Sequence, residues 1–61
     1  MNPPPLETIE AACRAWWDAT GPDGKRISAM SWDEIVARGN PFVEQYRRRM
    51  AAALQAAVGL P

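Results

Sequence analysis

Asn40–Gly59, NPFVEQYRRRMAAALQAAVG, decides how this 61-residue chain folds. Asn40 is a good N-cap, Pro41 suits the first helical position and Gly59 is a stop signal. Between them Val43, Tyr46, Met50, Ala53, Leu54 and Ala57 recur at helical spacing, with Phe42 and Val58 on the margins. The stretch predicts a helix over residues 41–58.

The rest of the chain supplies what packs against it. Leu6, Ile9, Cys13, Trp16 and Thr20 are spaced 3, 4, 3 and 4, and Trp17 widens the stripe. This predicts a first helix over 6–20 after the proline lead-in Met1–Pro5, ended by Gly21-Pro22. Glu10 and Arg14 stand at i,i+4, as do Glu44 and Arg48, so two pairs along single helices are expected. Residues 21–30 read as a loop: Pro22-Asp23-Gly24 is turn chemistry, and Ile27 and Met30 are expected to fold back onto the core. Ser31 and Glu34 then fit a capping box and predict a short second helix over 32–38, ended by Gly39. The fold class is all-α, a single domain over 1–61. It is a small helical hairpin with a short middle helix and antiparallel outer helices.

Composition narrows the function. Cys13 is the sole cysteine and histidine is absent, so the chain lacks the residues for a disulfide within itself or a Cys/His zinc site. No cofactor motif, glycine-rich phosphate loop or calcium loop is present, and Cys13 has no histidine to activate it. The reading is therefore non-enzymatic, with no catalytic residues and no metal ligands. Seven basic and seven acidic residues cancel, which disfavours nucleic acid as the partner. No membrane-crossing run is seen, and the expected location is the cytoplasm of a bacterial host. A chain this short has little core to spare, so self-association into a homo-oligomer is expected.

Six residues stand out as candidate binding residues: Trp17, Tyr46, Arg47, Arg49, Lys25 and Arg26. Consecutive helical residues point about 100° apart, so Arg47 and Arg49 flank the apolar stripe on opposite sides and Arg48 lies on the back. The bland reading of the triplet is a solvated face with salt bridges to the first helix. Core packing is the favoured reading of both Trp16 and Trp17; if one of them faces a second subunit or a ligand it is expected to be Trp17, with Trp32 of undecided environment. Lys25 and Arg26 fall at an exposed loop tip.

IEAACRAWWDATG, a polar loop, WDEI and then FVEQYRRRMAAALQAA resemble small alanine-rich helical proteins of bacteriophage and prophage genomes. The resemblance covers residues 8–57. It implies an accessory protein acting by binding, a counter-defence or host-takeover factor that occupies a surface on a host or defence protein. The alternative is an oligomer that sequesters a nucleotide-derived or other small anionic signal through arginines and aromatics at subunit interfaces.

Overall fold

The computed structural model describes residues 3–59; Met1 and Asn2 of the expected lead-in, and Leu60 and Pro61, lie outside them. The described chain is three helices, α1 (Leu6–Asp18), α2 (Trp32–Ala37) and α3 (Val43–Val58). The two long helices pack directly on each other and α2 packs on α1.

Pro5 holds polyproline dihedrals (φ −59°, ψ 149°). Its carbonyl accepts the Thr8 and Ile9 N–H groups at 3.0 and 3.1 Å, which starts α1 without a side-chain cap. Glu7 in the first turn complements the helix dipole. The helix ends at Asp18, two residues before the expected Thr20, because Ala19 turns to an extended conformation (φ −66°, ψ 140°). Two groups are spent elsewhere there. The Asp18 carboxylate accepts the backbone N–H of Trp32 at 2.9 Å. The Gly21 N–H donates to the Lys25 carbonyl at 2.9 Å, inside the Pro22–Gly24 turn that Gly24 closes at φ 76°.

Ser31 caps α2 as the sequence predicts, its hydroxyl accepting the Glu34 N–H at 3.2 Å. The helix stops after six residues in a complete Schellman motif. Asn40 N–H reaches Ile35 carbonyl, Gly39 N–H reaches Val36 carbonyl, both at 3.1 Å, and Gly39 takes φ 69°. Asn40 then accepts the Phe42 N–H on its side-chain oxygen at 2.8 Å. Residues 41 and 42 form a turn, so regular helix begins at Val43 rather than Pro41.

The core is Cys13, Trp17, Trp32, Ile35 and Val43, bordered by Ile9, Val36, Tyr46 and Met50. Each helix contributes to it. Trp32 and Cys13 are fully buried. Burying an indole is worth about 4–6 kcal/mol at ~25 cal/mol per Å² over roughly 150–250 Å², so Trp17 and Trp32 carry a large part of the apolar term for so short a chain. Leu6, an expected stripe residue, is 70% exposed. The Glu10–Arg47 ion pair occupies the interface beside it, and Leu6 borders an open depression with Pro5, Glu7 and that pair. Ile27 and Met30 also stay outside the core, and the Met30 carbonyl accepts the Trp17 indole N–H.

Candidate binding site

The two adjacent indoles of α1 part company at the core boundary. Trp17 turns inward, 8% exposed, and donates its Nε1–H to the Met30 carbonyl at 2.9 Å. Trp16 is 43% exposed and stands edge-on to Trp17 and Tyr46, with ring centroids 5.6 and 5.8 Å away. Core packing, the favoured reading of both indoles, holds for Trp17 and not for Trp16, whereas the sequence pointed to Trp17 as the one to face outward if either did. The reverse holds because α2 covers the Trp17 side, where Trp32 meets Trp17 edge-on at 6.2 Å.

Trp16 and Trp17 form one wall of a hollow of about 410 Å³. Tyr46, Met50 and Ala53 form the facing wall from α3, Ile27 reaches in from the loop, and Arg49 stands among them. Arg49 is exposed and has no ion-pair or hydrogen-bond partner among the described residues, and neither has the Trp16 indole N–H. No carboxylate lines this hollow. It is apolar and aromatic with one uncompensated cation.

Arg47 has a different place. Its Nε donates to Glu10 Oε2 at 2.8 Å, its Nη2 to Glu10 Oε1 at 3.2 Å and its Nη1 to Glu44 Oε1 at 2.8 Å. These bonds raise its pKa above the ordinary arginine value. Glu10 also accepts the Trp32 indole N–H at 2.7 Å. Hydrogen bonding from Arg47 holds the Glu10 carboxyl below the usual range, against a smaller opposing effect of burial. The expected pairs of Glu10 with Arg14 and Glu44 with Arg48 are therefore replaced. Arg14 instead reaches Asp33 of α2 at 3.0 Å, and Glu44 takes Arg47 at i,i+3. Asp18 and Glu10 are partly buried in these roles.

Of the six candidate residues, the hollow gathers Trp17, Tyr46 and Arg49. Arg47 lies at the α1–α3 seam, and Lys25 and Arg26 stay exposed in the loop before Ile27, with Arg26 donating to the Ala29 carbonyl at 3.1 Å. Trp16, Met50, Ala53 and Ile27 complete the lining, and the sequence reading did not choose them. The signal for Trp16 was present: two indoles straddling one stripe leave one at its edge.

Burial pushes the Cys13 thiol up, and the nearby Glu10 charge adds to this. Its Sγ points to the Tyr46 carbonyl at 4.0 Å. Among the described residues no three Cys, Asp or Glu side chains converge in a metal-holding group, and no helix is long and apolar enough to cross a membrane. Comparison with protein-family models, curated proteins and solved structures finds no match to this chain, so its function is read from the site.

Proposed function

We propose that this chain is a non-enzymatic binding protein that engages a host or defence protein through the face centred on Trp16. The observation that carries the reading is the unequal fate of the three indoles. Two are buried and hydrogen-bonded, while Trp16 stands exposed at the hollow beside the unpaired Arg49. Tryptophan and arginine are the side chains most often responsible for binding energy at protein interfaces. The resemblance of the sequence to small phage accessory proteins supports a bacterial cytoplasmic partner.

The test is site-specific photo-crosslinking in a bacterial host. A photo-reactive side chain at Ala53, in the wall of the hollow, is expected to join a discrete host protein. The same group at Arg48, which is exposed and outside the lining, is expected not to join it. Equal adducts from both positions, or none from Ala53, would refute the reading.

The second reading, sequestration of a nucleotide-derived anion, finds support in Tyr46 and Arg49 sharing one hollow. It is weakened by charge count. Arg47 is already bonded to two carboxylates, which leaves Arg49 as the one guanidinium lining the hollow for a ligand carrying several negative charges.

A further inference from the structure

We infer that the partner, on the binding reading above, presents an acidic amphipathic segment: an apolar or aromatic side chain that enters the hollow, with a carboxylate beside it for Arg49. Three observations carry this. The hollow is apolar on both walls and holds a single cation with no carboxylate among its lining residues. A guanidinium left unpaired beside apolar surface gains most from a carboxylate, which it binds with two parallel hydrogen bonds. The apolar surface also continues beyond the hollow. Phe42, 55% exposed, lies 6.5 Å from Tyr46, and Tyr46 lies 5.8 Å from Trp16, so one aromatic strip runs Phe42–Tyr46–Trp16 toward Ile27. A strip of that extent exceeds what a small molecule seated in the hollow covers and suits a segment laid along it, anchored at successive helical turns.

A second copy of the chain suits this face less well. In a two-fold interface the same patch meets itself. An axis through the hollow brings two Arg49 groups together with no carboxylate of the lining between them. Lys25 and Arg26, exposed just before Ile27, add like charge on the loop side.

The test uses the indole N–H signals in heteronuclear NMR of the full chain. Trp17 and Trp32 donate to Met30 and Glu10, and Trp16 does not share in either bond; Trp16 and Trp17 line the hollow and Trp32 does not, so the Trp32 signal reports on fold and the other two on the site. A synthetic amphipathic helix with a Phe/Leu stripe flanked by Glu is the probe, and its Lys-flanked counterpart is the control. The Glu peptide is expected to move the Trp16 signal, and with it that of Trp17 in the same wall, leaving that of Trp32 in place, and to bind at least roughly tenfold more weakly to Arg49→Gln. The unmoved Trp32 signal shows that the variant is folded. The inference is overturned if the Lys peptide binds equally well, or if Trp16 does not respond. It is also overturned if sodium phenylacetate alone moves Trp16 at the same concentrations, which marks a small-anion site. A Trp16 signal that shifts with protein concentration alone marks a self-contact and overturns it too. A host adduct formed through Ala53 without acidic-peptide binding rejects the acidic segment and leaves the binding reading standing. Peptide binding without any host adduct counts against that reading alone.

Discussion

Glu10 and Arg47 meet across the α1–α3 seam through both carboxylate oxygens, at 2.8 and 3.2 Å, 37 positions apart in the chain. The same carboxylate receives the Trp32 indole N–H. One side chain of α1 therefore fastens both other helices, and it does so at the edge of the core where water is partly excluded.

Removing Arg47 leaves that carboxylate partly desolvated with one donor. Arg47→Ala is expected to destabilise by about 1–2 kcal/mol, the scale of a charge-assisted hydrogen bond lost at a partly buried site. For a chain this short this lowers Tm by roughly 4–16 °C, measurable by circular dichroism. An unchanged Tm would show that the pair contributes nothing.

The pH dependence follows from the same group. Its folded-state pKa lies below the value of 4.5 for the free side chain, chiefly through Arg47. The unfolded chain therefore takes up the proton first as acid is added. The stabilisation is complete above about pH 4.5 and fades as the pH falls through the lower folded value. Glu10→Gln is expected to flatten the loss of stability in that acid range. Denaturant titrations of both proteins at several pH values check it, and parallel pH profiles would exclude Glu10 as a source.

Gly39 tests the backbone. At φ 69° it sits in the left-handed region, and a Cβ added there meets nothing within 4 Å. Gly39→Ala is thus expected to cost about 1–2 kcal/mol through conformation alone, and Gly39→Asn less. Equal stability of the alanine variant would mean that the Schellman turn rearranges without cost.

Trp32→Ala is expected to unfold the chain. Truncating a buried indole costs about 3–5 kcal/mol, and here it also strips Glu10 of a donor. Trp16→Ala, at the surface, is expected to leave the fold in place and change Tm by no more than a few degrees. Far-ultraviolet circular dichroism separates the two outcomes, and a folded Trp32→Ala would contradict the assignment of the core.

Cys13 gives a chemical readout. Its thiol is fully buried and its pKa is raised by that burial. A thiol reagent is expected to modify it at the rate of unfolding and not at the rate of a free cysteine. Fast modification of the native protein would show that the α1–α3 seam opens readily.

Most of the fold was legible because the signals were local. Ser31 and Glu34 marked the start of α2, and Gly39 its end. The alternation of Val43, Tyr46 and Met50 marked the inner face of α3. The partners of the charges were not legible, because they depend on which helices come together. Glu10 has Arg14 one turn away on its own helix, yet bonds Arg47. Spacing along one helix ranks Arg14 first; only a partly desolvated seam, with Trp32 adding a third bond, reverses the order. The choice between Trp16 and Trp17 failed for the same reason. Both lie on the stripe, and the position of α2 decides which is covered. The end of α1 was misjudged because a side chain of Asp18, rather than Gly21, closes that region by reaching forward to Trp32.

The core takes Cys13 and Trp17 from α1, Trp32 and Ile35 from α2 and Val43 from α3. No two of the helices retain the whole of it. Chain ending at Gly39 would keep both buried indoles and lose Val43, Tyr46 and Arg47 at once, so its two helices would have nothing to close over them. Folding is consequently expected to be all-or-none: no half of the molecule is a refuge from which the other half can be lost and regained, and a protease that nicks the Gly21–Ser31 loop is expected to leave fragments unable to keep shape once they separate.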